Sequence, residues 1–343
     1  MSEHTAFAGL VDLASAALGS QVVSTSDDFF AAAGGMLAPE PARFEPHRYT
    51  ERGKWMDGWE SRRRRTSGND YAVVALGAPG RVRGFDIDTA HFIGNHPPFA
   101  AVDGVAAPPD CTPDALLALP WSPLLPEVSL GPGRHNYFAA ERSDVVTHVR
   151  LRIFPDGGVA RFRVYGRVEP RRSPPELDEL ARRQVPPGLV DLAALKQGAR
   201  ALACSDARFG AMSQLILPGR ALNMGGGWET RRGRGPDHER DWIIIELAER
   251  GSVRLFEVDT SYFIGNFPES CTLDGLDRPG ATVSELLAAN RWEPVIERSA
   301  LRADSRHFIW CPPAPERALT HVRLTIFPDG GVSRLRAWGT PHA

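Results

Sequence analysis

Three clusters of polar side chains stand out for the chemistry they bring together. The segment GKWMDGWESRRRR at 53–65 sets Trp59 and Glu60 just before a run of four arginines that opens with Arg62. A guanidinium presents a two-pronged donor that suits a carboxylate or a ureido oxygen. The plainer alternative is a packed Trp at the end of a solvated basic strand. The segment DTAHFIGN at 88–95 carries His91 and ends on Asn95. Imidazole is the side chain suited to proton transfer near neutral pH. The same segment also reads as a turn, with Asp88 and Thr89 as its builders and Gly94-Asn95 as a left-handed corner. In THVRLRIF at 147–154, His148 and Arg150 are two residues apart and share one face of a strand. An exposed polar face explains that pair equally well. His135 and His307, in RHNYF and RHFIW, add two lesser candidates. No HExxH, P-loop, GxSxG or well-placed GxGxxG accompanies these clusters.

All three clusters recur in the second half of the chain. GWESRR at 58–63 returns as GWETRR at 227–232, FDIDTAHFIGNHP at 85–97 as FEVDTSYFIGNFP at 256–268, and THVRLRIFPDGG at 147–158 as THVRLTIFPDGG at 320–331. LVDLA at 10–14 returns at 189–193, and SDDFF at 26–30 as SDARF at 205–209. The offset drops from 179 to 169 between SDDFF and GWESRR and then rises to 173 by THVRL, so indels are few. This pattern is a duplication of one large unit. We expect domains at 10–168 and 189–343, joined by a proline-flanked linker at 169–188. A short helix in that linker would take Ser173 as cap and Pro174 in its first turn. The copies differ at three chemically rich positions. Lys54, Asp57 and His91 face Asn223, Gly226 and Tyr262. That asymmetry predicts one competent site per chain, centred on the first unit.

The elements that position these residues read as strands. In THVRLRIF the apolar Val149, Leu151 and Ile153 alternate with polar residues, the period of a half-buried strand. PDGG then reads as a tight turn into a returning strand, FRVYG. GFDID alternates likewise, with Asp86 and Asp88 on the polar side. YAVVAL and WIIIEL are continuous apolar runs fit for central strands. Short strands between turn clusters predict an all-β chain of two antiparallel β-sandwiches. Few helices are expected: one at the opening of each unit, and DALLAL at 114–119 with its echo SELLAA at 284–289, capped by Thr112 and Thr282.

Composition narrows the classes further. The 343 residues carry 42 acidic and 40 basic side chains, which leaves no basic footprint for nucleic acid. No apolar run reaches the roughly 18 residues of a membrane span, so no membrane partner is expected. The first residues lack a basic stretch and do not read as a secretory signal. The four cysteines are far apart and form no CxxC pair. They read as thiols of a reducing cytoplasm rather than zinc ligands. The His and Asp stock is compatible with a divalent metal, but no ligand spacing demands one, and no metal ligand is assigned.

In their order and their doubling, GKWMDGWESRRRR, FDIDTAHFIGNHP and THVRLRIFPDGG resemble the allantoicase family over roughly 10–340. The resemblance implies a tandem pair of jelly-roll β-sandwiches of the galactose-binding type. It also implies hydrolysis of allantoate to ureidoglycolate and urea, in the use of purine nitrogen. Allantoate holds a carboxylate and two ureido groups on one carbon. Losing urea needs a cation for the carboxylate, polar groups for the ureido arms and an acid-base pair. For that substrate Lys54, Arg62 and Arg150 are the candidates for the carboxylate. His91, Asp57, Glu60 and His148 are the candidates for proton transfer, Trp59 for a wall and Asn95 for a ureido group. A homo-oligomer is compatible with the sequence. The rival readings are a non-enzymatic carbohydrate-binding pair of sandwiches and a hydrolase of a related ureido compound. Against the former, a neutral glycan has little use for the Arg cluster.

Overall fold

In the computed structural model, which describes residues 7, 10–142, 144–169, 177–233, 235, 239–312 and 317–342, the chain divides into units at Met1–Glu169 and Pro170–Ala343. The first unit contains β1 (Val11–Asp12), β2 (Gln21–Thr25), the small hairpin β3 (Tyr49–Thr50) and β4 (Gly53–Lys54), and β5 (Trp59–Glu60). These lead to β6 (Asp70–Asp88), β7 (Phe99–Val105), β8 (Ser122–Ser129), β9 (Tyr137–Ala139), β10 (Val145–Phe154), β11 (Gly158–Val159) and β12 (Arg161–Val168). All pairings are antiparallel.

Strand β6 is 19 residues long and serves two layers. Its first part lies between β2 and β10, and that layer continues through β7 to β8. Its second part lies between β12 and β9, with β1 beyond β12. Ala72, Val73 and Val74 are fully buried because strands flank them on both sides, as the apolar run predicts. The second unit repeats this order around the strand Asp241–Asp259.

Three expectations change in the structure. PDGG is not a tight hairpin. β10 and β12 pair with different parts of β6, so the turn carries the chain from one layer to the other. Its glycines serve close approach: a Cβ on Gly158 would sit 2.0 Å from the Phe92 ring. Second, the helix at the opening of each unit is only a single 3-10 turn, Ala16–Leu18 and Leu195–Gln197, preceded by a short strand. Asp12 Oδ1 accepts from the amides of Ala14 (3.1 Å) and Val164 (3.0 Å), which ties the opening to β12 as a short strand. Third, the strand registers within each unit make Arg306 the counterpart of His135 and His307 that of Asn136, one step from the alignment of RHNYF with RHFIW. Helices form at α1 (Pro113–Ala118), α2 (Glu179–Gln184) and α3 (Val283–Leu287), with Thr112 and Thr282 as caps of the first and third. Asp178 caps α2. Ser173 and Pro174 lie outside the described residues. No helix among the described residues is long and apolar enough to cross a membrane.

Asp86 and Asp88 do not face solvent; both are buried. Burial pushes the Asp86 carboxyl up to about 6, against the pull of His135 Nδ1 at 2.7 Å. A carboxyl raised in the folded state stabilises fully below its unfolded value and loses that contribution as pH rises through its folded value. Asp86→Asn cannot ionise and keeps a partner for His135. Its Tm relative to wild type is therefore expected to climb between about pH 4 and pH 7. A difference that stays flat across that range refutes this account.

Candidate functional site

The site of the first unit is built on β5. Gly158 and Val159 of β11 pair with Glu60 and Trp59, and Ala31 bridges Glu60 from the other side. The strand is thus fixed on both edges. Trp59 is fully buried, and its indole N–H donates to the Asp27 carbonyl at 2.8 Å, so it lies beneath the site rather than forming a wall. Glu60 points the other way. Asn95 Nδ2 donates to Glu60 Oε1 at 2.7 Å. Burial raises the Glu60 carboxyl above its ordinary value, and the bond from Asn95 offsets only part of that.

The loop that carries Asn95 is anchored by its own turn residues. Asp88 Oδ1 accepts the Ala90 amide at 2.8 Å, and Thr89 Oγ1 donates to the Gly131 carbonyl at 2.6 Å. The left-handed residue is not Gly94 but His91, at φ 69°. This conformation is uncommon outside glycine. It turns the imidazole toward the chain at 42–44. There His91 Nε2 lies 3.3 Å from the Ala42 carbonyl and the ring stacks on Phe44 with centroids 5.4 Å apart. Lys54 Nζ stands 4.4 Å from the centre of the same Phe44 ring, a cation–π contact.

Phe44, Lys54 and Met56 belong to a strap that the second unit lacks. From Ser26 to Arg63 the first unit has 38 residues, whereas Ser205 to Arg232 has 28. The ten extra residues form the β3–β4 hairpin and its flanks. Arg161, buried, fastens the base of this strap. It donates to the carbonyls of Glu40 (2.7 Å) and Pro41 (3.3 Å) and pairs with Asp57 Oδ2 at 2.8 Å. Burial pulls the Asp57 carboxyl up, but the bond from Arg161 and the Arg43 amide hold it below its ordinary value. Asp57 therefore positions the strap. Asp57→Asn is expected to cost about 2 kcal/mol of stability, and to raise KM more than it lowers kcat, as steady-state kinetics will read.

Together Phe30, Phe44, Lys54, Met56, Glu60 and Asn95, with His91 and Ile93 at the rim, enclose a cleft of about 350 Å³. That volume suits a small molecule. The structure thus brings together four of the sequence candidates: Lys54, Glu60, His91 and Asn95. It places the others elsewhere. Arg62 lies in a groove across Phe30, where its Nε meets Asp27 Oδ2 at 2.7 Å. Despite partial burial, the Arg62 backbone and side-chain bonds hold the Asp27 carboxyl below its ordinary value. Arg150 pairs with Asp103 at 2.9 Å and covers Trp121, and His148 Nδ1 meets Thr147 Oγ1 at 2.9 Å. The second unit repeats these contacts with Arg323, Asp274, Trp292, His321 and Thr320. Phe44 and Met56 were not singled out by sequence reasoning. The drop in repeat offset across the strap was the available signal.

The second unit keeps half of the arrangement. Asn266 Nδ2 donates to Glu229 Oε1 at 2.6 Å, and Tyr262 has φ 72° where His91 stands. Lys54 has no cationic counterpart, and Met224 Sδ lies 3.8 Å from Asn266 Nδ2. Among the described residues, no group of three or more His, Cys, Asp or Glu side chains is arranged to hold a metal ion.

The doubled architecture matches a family model described as the allantoicase repeat, at residues 11–169 and again at 190–342. The chain belongs to the allantoicase family. It is 46% identical over 336 residues to a probable allantoicase of Rhizobium meliloti and 44% identical over 331 residues to probable allantoicase 1 of Burkholderia mallei. Each alignment covers 96% of this chain and 94% of the relative. The crystal structure of allantoicase from Saccharomyces cerevisiae superposes with a TM-score of 0.81 at 33% identity, covering 99% of this chain and 98% of that one. The duplicated β-sandwich is therefore a feature of the family, and both repeats lie within the match.

Proposed function

We propose that this protein hydrolyses allantoate to ureidoglycolate and urea, and that the reaction takes place in the strap-covered cleft of the first unit. Family membership over nearly the full length supports the activity. The placement rests on one observation: the Glu60–Asn95 pair meets a cation and an imidazole only where the strap is present.

The substrate's carboxylate lies against Lys54, the only lysine or arginine lining this cleft among the described residues. The Asn95 side-chain carbonyl accepts a ureido N–H, since its amide nitrogen already serves Glu60. Glu60, whose carboxyl is biased toward the protonated form by burial, gives its proton to the departing ureido nitrogen as the C–N bond breaks. His91 takes a proton from the incoming water as the C–O bond forms. The products are urea and the ureidoglycolate anion, and return of one proton from His91 to Glu60 through solvent restores both groups, so atoms and charge balance. Phe30, Phe44 and Met56 give the open cleft apolar lining beside its polar groups. The four free cysteines take no part and suit a cytoplasmic enzyme.

The test is release of urea and ureidoglycolate from allantoate, run with and without chelator so that any use of a divalent metal is also read. No release under any metal condition overturns the proposal. Lys54→Ala is expected to raise KM by about tenfold, the loss of one charge-assisted contact from an exposed lysine. His91→Ala is expected to lower kcat by ~10²-fold or more. Near-wild-type kinetics in both variants would move the chemistry out of this cleft.

A further inference from the structure

The two units differ at one more place, and there the second unit has the buried cation without its counterion. Arg334 is the counterpart of Arg161 and is equally buried. The two guanidiniums make matching carbonyl contacts. Arg161 Nε donates to Glu40 O and its Nη1 to Asp57 O; Arg334 Nε donates to Gly219 O (3.2 Å) and its Nη1 to Gly226 O (2.6 Å). In the first unit the Asp57 carboxylate completes the set, at 3.2 Å from Nη1 and 2.8 Å from Nη2. In the second unit Gly226 stands at that position and has no side chain to offer. Among the described residues Arg334 has no carboxylate within salt-bridge distance, and its Nη2 makes no hydrogen bond. Burial and the nearby Arg336 and Arg220 charges pull the Arg334 guanidinium down to about 10, against the pull of Asp259.

Arg334 lines a cleft of about 660 Å³ formed wholly by residues of the second unit, among them the linker helix α2. Six cationic side chains face four carboxylates around it. Leu195 and Trp338 add apolar lining, and Arg220 stands half exposed beside Asp259 at 3.7 Å. A buried guanidinium lacking its carboxylate is costly, and a cleft with an excess of positive charge is suited to an anion.

We propose that this cleft binds a small organic monocarboxylate, with its carboxyl group against Arg334 where Asp57 lies against Arg161 in the first unit. The ligand's body lies along Trp338 and Leu195. Arg220 contributes a second positive charge. This site is separate from the Lys54 cleft, and its occupation does not depend on the reaction proposed there.

The test is thermal unfolding of the full chain in a propionate titration, with propionamide and chloride at matched ionic strength as controls. Propionate is expected to raise Tm with the logarithm of its concentration above Kd, reaching roughly 5 °C at a hundredfold excess. The controls are expected to leave it flat. Gly226→Asp restores the missing carboxylate in cis and is expected to abolish the propionate shift while leaving turnover of allantoate unchanged. Gly226→Ala, which adds a Cβ 3.0 Å from that of Ala221 but no charge, is expected to keep the shift. Lys54→Ala is expected to keep it too, which separates this site from the first unit's cleft. Arg220→Ala is expected to weaken propionate about fivefold. A wild-type chain with no shift beyond that of the controls overturns the proposal, as does a shift that persists in Gly226→Asp. If Gly226→Asp does not fold, an unchanged Kd in Arg220→Ala overturns it instead.

Discussion

Glu60→Gln is expected to lower kcat by about 10²–10⁴-fold while leaving KM within a small factor. Glutamine keeps the shape and can still accept from Asn95 Nδ2, so the 2.7 Å contact and the loop it holds survive. What disappears is the exchangeable proton. The sign of the pH effect follows from the raised carboxyl. A general acid works while protonated, so wild-type kcat falls as pH rises through the elevated Glu60 value, and that limb vanishes in the variant. Glu229→Gln is the matched control. The same Glu–Asn bond sits there without a lysine or an imidazole, so turnover stays close to wild type. Equal losses in the two variants would refute the assignment of catalysis to the first unit, and a Glu60→Gln enzyme with wild-type kcat would remove Glu60 from proton transfer.

Replacing the strap is expected to abolish turnover without unfolding the unit. The exchange substitutes the six residues at 220–225 for the sixteen at 41–56. It removes Phe44, Lys54 and Met56 and the Ala42 carbonyl beside His91. It leaves Asp57, Arg161 and the Glu40 carbonyl in place. The hairpin β3–β4 is exposed, so few core contacts are lost. Far-UV circular dichroism and Tm near wild type, with no urea released, is the expected result. Retained turnover would show that the strap is dispensable for the chemistry.

Much of this was legible in the residues alone. The doubled motifs fix two copies of one sandwich, and alternation in THVRLRIF and the run YAVVAL marks which strands sit at the edge of burial and which at its centre. The unmatched Lys54 and His91 were visible because a duplicated scaffold supplies its own reference. Side-chain direction was the harder question. Trp59 and Glu60 are neighbours in a two-residue strand, and only its pairing with β11 decides which of them is buried. Arg62 and Arg150 read as free cations, yet their carboxylate partners, Asp27 and Asp103, are 35 and 47 residues away. No local pattern reports a contact at that separation. Asp57 resembled an acid for the same reason: its partner Arg161 lies 104 residues further along.

The retained Glu229–Asn266 bond has a consequence for how such a protein changes over time. A hydrogen bond present in both copies, whether or not turnover occurs beside it, belongs to the framework. On the proposed mechanism the acid Glu60 is then borrowed from a structural joint, and novelty is confined to an appendage and a single ring. Substitutions at 41–56 can thus be sampled under selection for new substrates with little penalty in folding. On the proposed mechanism, transplanting that stretch into the second copy together with Gly226→Asp and Tyr262→His is the shortest route to a chain with two working centres.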